Sequence, residues 1–176
     1  MARAPSSVPL FTTELETPIP VVDLDRLAQN LDTMAAYCAL HGLALRPHVK
    51  THKAPRIAAD QMRLGAVGLT CATSRELEVM SGVANDLLLA HPPVTWARLH
   101  RLMALPRDVR LTVAVDSLES ATKLSRVATD NGRMVDVHVE IDLGMHRVGV
   151  QGPEDAVRLA GEIAGLEGVR YAGILY

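Results

Sequence analysis

From Arg46 to Lys53 the chain reads Arg-Pro-His-Val-Lys-Thr-His-Lys, which gathers two lysines, two histidines and an arginine into eight residues. A lysine amine held among other cations and partly desolvated gives up its proton more readily. The neutral amine can then attack a carbonyl to form a Schiff base. Lys50 is the candidate for that chemistry. Pro47 removes a backbone donor and disfavours the α region for Arg46, so Leu43–Val49 is expected to be a strand that delivers basic groups to its C-terminal end. Alternation along such a strand places His48 and Lys50 on one face. A solvated basic loop is the competing interpretation, because exposed charge is the norm.

A second informative stretch is Val139-Glu-Ile-Asp-Leu-Gly-Met-His-Arg-Val-Gly-Val150. A strand end here brings Glu140 and Asp142 to one face. Gly144 permits a tight turn, after which Arg147 can reach back over the strand ends. An ordinary acid-rich strand exit with a structural Arg–Asp pair would look the same.

The elements needed to position these groups are legible as short apolar runs separated by helical patterns. Strands are expected at Ile19–Val22, Leu43–Val49, Gly65–Ala72, Asp86–Ala90, Leu111–Val115, Val135–Asp142 and Arg170–Tyr176, seven in all. Helices are expected after Asp23 or Asp25, over Ala54 to about Leu64, over Arg75–Ser81 with Ser74 as cap, over Thr95–Leu105, over Leu118–Asn131, and from Gly152-Pro153 to about Gly165. This alternation predicts an α/β fold with a parallel sheet. Val21-Val-Asp-Leu-Asp-Arg stands where a dinucleotide-binding sheet would carry Gly-x-Gly-x-x-Gly. The polar residues Lys50, Thr73, His91, Asp116 and Asp142 fall just after strands, on the rim that a (β/α)8 barrel uses for its active site. The barrel is therefore preferred, seven of its eight strands being present.

Arg46-Pro-His-Val-Lys-Thr-His-Lys53 resembles the signature of the D-threonine aldolase and D-serine dehydratase family, pyridoxal-phosphate enzymes with an alanine-racemase-like N-terminal barrel. Asp142-Leu-Gly-Met-His-Arg-Val-Gly149 is similar to the corresponding step of that family and of alanine racemases. Thr17-Pro, Val21-Val-Asp-Leu-Asp and Gly65-Ala-Val-Gly-Leu-Thr-Cys-Ala-Thr73 also resemble its first and third strands. The resemblance implies that Lys50 carries pyridoxal 5'-phosphate as a Schiff base and that Arg147 hydrogen-bonds the cofactor's phenolate oxygen. His48 and Tyr176 are weaker candidates to border the cofactor, and no role is assigned to His52 or Lys53. Alanine racemases have a lysine in place of Glu140, and Lys50-Thr-His-Lys-Ala departs from their usual sequence, so the aldolase and dehydratase branch matches better.

The activity implied is that of a lyase acting on a D-amino acid with a β-hydroxyl. The alternatives are an amino-acid racemase and a non-catalytic pyridoxal-phosphate-binding protein of the homeostasis type. The family also implies a downstream β domain with a divalent-metal site, a phosphate cup after the last barrel strands, and a homodimer. With these absent and the barrel unclosed, the chain is expected to be the N-terminal part of a longer protein.

Composition sets the remaining bounds. A net charge of −2 with 22% charged residues offers no electrostatic case for nucleic acid or membrane. Aromatic residues make up 3% of the chain, so its core must be aliphatic. No apolar run is long enough to span a bilayer. Residues 1–16 read as a loosely packed arm ahead of a barrel domain over 17–176, without a secretory signal. Cys38 and Cys71 read as buried thiols, and a cytoplasmic location follows as the default.

Overall fold

The computed structural model describes residues 16–176. The arm expected over residues 1–16 lies outside the described residues except for Glu16. The chain divides into two compact units, Met1–Leu43 and Ala44–Tyr176.

Among its described residues the first unit contains one helix, α1 (Leu24–Leu40). Asp23 caps it, its carboxylate accepting from the backbone N–H groups of Asp25 and Arg26, both at 3.1 Å. Gly42, at φ +63°, turns the chain after the helix. No strand forms at Ile19–Val22.

The second unit alternates strands and helices: α2 (Pro55–Arg63), β1 (Leu69–Cys71), α3 (Ser74–Met80), β2 (Asp86–Leu89), α4 (Trp96–Met103), β3 (Arg110–Val115), α5 (Leu118–Asp130), β4 (Val135–Glu140), α6 (Pro153–Ala164) and β5 (Val169–Leu175). The five strands are parallel and lie in the order in which they occur in the chain. A doubly wound sheet would reverse its order at a switch point, whereas sequential parallel strands, each followed by a helix, build the wall of a (β/α)8 barrel.

Among the described residues five strands form where seven were expected. Besides Ile19–Val22, the missing one is Leu43–Val49. Part of a ladder is present there: the carbonyls of Leu45 and Pro47 accept from Val67 and Thr70, and His48 bridges Thr70. Pro47 has no N–H to return, and the chain turns at once into a 3-10 turn, Val49–Thr51. The α3 cap also differs from expectation. Thr73 rather than Ser74 caps the helix, its hydroxyl accepting from Glu76 N–H at 3.2 Å while the Glu76 carboxylate takes Ala72 N–H at 2.7 Å.

Strand alternation separates two environments. Leu111, Val113 and Val115 of β3, with Val135, Val137 and Val139 of β4, are buried against Leu99, Leu102, Leu124, Leu159 and Ile163 of the helices. Each such side chain contributes roughly 1.5–3 kcal/mol on burial. The opposite face carries Arg110, Thr112 and Ala114 on β3 and Asp136, His138 and Glu140 on β4. At the start of the strands this face holds a row of alternating charge. Asp86 lies between Arg46 (2.9 Å) and Arg110 (3.9 Å), and Asp136 between Arg110 (3.0 Å) and Arg170 (2.7 Å).

Candidate active site

At the other end of the same face, the C-terminal ends of the strands surround a cleft of about 650 Å³. Lys50, His48, Arg147 and Tyr176, the four residues singled out from sequence, all line it, together with Arg46, His91, Glu140 and Asp142.

Lys50 sits in the 3-10 turn, and His48 fixes that turn by accepting the Lys50 N–H on Nδ1 at 3.3 Å. That contact leaves the ring proton on Nε2, beside the Thr70 backbone. Burial, and secondarily the Lys50 charge, hold the His48 imidazole below its ordinary value, so it remains a neutral acceptor. Lys50 itself is exposed rather than partly desolvated, because the turn lifts it clear of the strand position expected for it.

His52 and Lys53 serve the structure around the turn. His52 Nδ1 accepts Ala54 N–H at 3.0 Å and its other nitrogen faces Gln61. Lys53 lies 3.7 Å from the Glu76 carboxylate. Neither is among the residues lining the cleft.

Arg147 is carried by a closed loop. Val150 donates to the Glu140 carbonyl at 2.8 Å and Asp142 donates to the Val150 carbonyl at 2.9 Å, which ties the loop's two ends together. Inside it the Asp142 carboxylate accepts from Gly144 N–H at 2.9 Å and His146 N–H at 3.0 Å. These backbone donors, that of His146 foremost, hold the Asp142 carboxyl below its usual range. Gly149, at φ +104°, packs against backbone: a Cβ there would lie 2.5 Å from Asp142 N. Asp142 is thus engaged in shaping the loop, not in pairing with Arg147. Among the described residues Arg147 has no ion-pair partner within 4.0 Å.

Glu140 was noted in the sequence without a function, and His138 was not among the candidate site residues. Both lie on the inner face of β4. Glu140 is 8% exposed, and its Oε2 has no hydrogen-bond partner. His138 is half-buried, opposite Gly173 at a register shift between β4 and β5, and its Nδ1 is likewise unpartnered. Counting strand positions from Val135 would have placed both with Asp136.

An exposed amine and an unpaired guanidinium sharing one cleft fit a ligand that is both an aldehyde and an anion. Arg147 would hold the anionic oxygen and Lys50 the aldehyde carbon. Among the described residues no group of three or more His, Cys, Asp or Glu side chains could hold a metal ion, and no helix is long and apolar enough to cross a membrane.

Residues 22–176 match the family described as alanine racemase, N-terminal domain. The chain is 35% identical over 161 residues to a D-threonine aldolase of Arthrobacter sp, covering 91% of this chain and 42% of that protein. It is 34% identical over 163 residues to a D-threo-3-hydroxyaspartate dehydratase of Delftia sp. (strain HT23), covering 92% and 43%. The crystal structure of a D-threonine aldolase from Filomicrobium marinum superposes with a TM-score of 0.87 at 38% identity, covering 91% of this chain and 43% of that one. The chain therefore spans about two fifths of the length of these relatives.

Proposed function

The chain belongs to the alanine racemase N-terminal domain family, and from that premise we propose that its cleft serves a pyridoxal-phosphate-dependent lyase acting on D-β-hydroxy amino acids. The observation that carries this is the meeting of Lys50 and Arg147 in one cleft at the C-terminal ends of barrel strands. When bound there, the cofactor supplies an electron sink for negative charge developing at the substrate's α-carbon.

Lys50 is the residue that carries the cofactor, and its amine moves the proton on the face of the substrate it borders. His48 keeps the Lys50 turn in place through the backbone N–H and stays neutral while doing so. Arg147 binds the ring oxygen and fixes the ring's orientation, with the tied loop limiting its travel. Tyr176 borders the open side of the cleft. The relatives named as aldolase and as dehydratase support a substrate whose β-hydroxyl is either retained in cleavage of the Cα–Cβ bond or lost. In the full-length protein we place the divalent metal in a downstream domain and expect a homodimer. Leu143 and Met145, exposed at the cleft rim, support a second copy seating nearby.

Borohydride reduction of the full-length protein with pyridoxal phosphate, followed by peptide mapping, tests the assignment. Label on Lys50, with turnover of D-threonine or D-serine, is expected. Label on another lysine, or turnover of D-alanine alone, would overturn it.

A further inference from the structure

Lys50 is exposed, so the direction of its amine is set by the backbone turn that carries it and not by packing of its own side chain. On the cleft side His48 holds that turn. On the other side, the Val49 carbonyl accepts the His52 N–H at 3.2 Å and the Lys53 N–H at 2.7 Å, so whatever fixes residues 52 and 53 also fixes Lys50. Lys53 stands at φ +50°, a conformation that persists only where its surroundings hold it. The next residue, Ala54, opens α2 without a side-chain cap of its own, and its N–H goes to His52 Nδ1 at 3.0 Å. That hydrogen bond requires the imidazole to keep its proton on Nε2, and burial, which holds His52 below the ordinary histidine value, favours this neutral form. Among the described residues Nε2 is enclosed and reaches no hydrogen-bond partner, an expensive condition for a donor. The Gln61 Oε1 that it faces is enclosed and unpartnered as well. Gln61 belongs to α2, which the fully buried Ala58 anchors in the core.

We propose that His52 is a positioning residue for Lys50, with Gln61 as its anchor: the Nε2–H donor and the Oε1 acceptor have only each other to satisfy, and their contact registers the Lys50 turn against α2. This rests on the reading of Lys50 above as the residue that carries the cofactor. The path from core to amine is short and continuous. Packing of Ala58 fixes α2, and Gln61 fixes the His52 ring. Nδ1 of that ring draws in the Ala54 N–H across the strained Lys53, and the Val49 carbonyl passes the constraint to Lys50. The two histidines flanking the lysine thus act alike, each as a neutral acceptor of a backbone N–H, His48 from the cleft side and His52 from the α2 side. Neither His52 nor Gln61 lines the cleft, so neither touches a ligand there. Losing their contact should leave the fold standing and widen the range of directions that the amine samples.

The test uses the full-length protein. Gln61→Met removes the acceptor at similar length, Gln61→Glu keeps an acceptor in place, and His52→Phe removes both ring nitrogens. Without added cofactor, ¹⁵N-histidine NMR should find the His52 proton on Nε2, and hydrogen exchange should find the Lys50 and Ala54 amides protected. Gln61→Met should speed exchange at both amides, and Gln61→Glu should restore the wild-type rates. Condensation of Lys50 with pyridoxal phosphate, trapped by borohydride, should slow roughly tenfold in Gln61→Met and in His52→Phe, the scale of a modest misplacement of a reacting group. The double variant should be no slower than the slower single one, as expected where both substitutions remove the same contact. Unchanged amide exchange in Gln61→Met, or a lower melting temperature with an unchanged Lys50 condensation rate, would overturn the proposal. If the wild-type protein takes no label on Lys50, the cofactor assignment fails instead, and exchange at the Lys50 amide then decides the positioning link alone.

Discussion

Replacing Asp136 by asparagine tests whether the charged row at the start of the strands holds the register that brings Glu140 to the cleft. The carboxylate side chain is 3% exposed and receives Arg110 Nε at 3.0 Å, Arg170 Nε at 2.9 Å and Arg170 Nη2 at 2.7 Å. Asparagine keeps the shape and one acceptor oxygen but removes the charge. Hydrogen bonds to a charged group contribute about 1.5–3 kcal/mol each against about 1 kcal/mol for neutral ones, so the gross loss is about 2–6 kcal/mol. The two arginine side chains are 63% and 65% exposed. Water therefore compensates much of their lost pairing, and the expected net cost is about 2 kcal/mol, or a melting temperature lower by roughly 4–8 °C. A second readout comes from His138, the next residue on the same face. Burial, and then Arg46, hold its imidazole below its ordinary value, while Asp136 opposes them. Removing that opposition should lower the His138 midpoint further. Urea unfolding and an NMR titration of the histidines measure both effects. Stability within about 0.5 kcal/mol of wild type, together with an unmoved His138 midpoint, would refute the reasoning.

Further outcomes follow from particular contacts. Gly149→Ala should cost about 2–4 kcal/mol and weaken pyridoxal phosphate binding, since its Cβ would lie 2.5 Å from Asp142 N at a φ of +104°; calorimetry and a cofactor titration check this. Arg133 is 7% exposed and donates to the carbonyls of Leu105 (2.8 Å), Pro106 (3.2 Å) and Val109 (2.7 Å). Arg133→Met should cost about 2–4 kcal/mol in urea unfolding, by removing the donor to the Leu105 and Val109 carbonyls; that of Pro106 keeps the Val109 N–H at 3.2 Å. His138 is held below its ordinary value of 6.5 in the folded chain, so the unfolded chain takes up its proton first as pH falls. Its contribution to stability should be complete above about pH 6.5 and decline below it, with a shallower decline in His138→Gln, as read from urea midpoints between about pH 5 and 8.

The contrast between what the sequence disclosed and what it concealed follows from the range over which each feature is determined. Lys50 and Arg147 were legible because each lies in a short run whose own residues build its setting: His48 caps the turn of Lys50, and Asp142, Gly144 and Gly149 shape the loop of Arg147. The sequential sheet was legible because apolar runs alternated with capped helices. Leu43–Val49 misled because its composition suits a strand, while Pro47 lacks the donor a ladder needs and the His48 side chain favours a turn. Arg46, Asp86, Arg110, Asp136 and Arg170 are separated by 24 to 40 residues along the chain and read individually as ordinary surface charge. Only the parallel register, in which Asp86 lies opposite Arg110 and Asp136 opposite Arg170, turns them into one row. The same register decides the meaning of Glu140. Two steps along β4 from His138 and four from Asp136, it is carried from a row in which every carboxylate has an arginine to a cleft where its own nearest arginine remains unpaired. A strand read alone shows that alternation but not which end of it borders the cleft, so the setting of Glu140 becomes visible only once the neighbouring strands and the loop bearing Arg147 are in place.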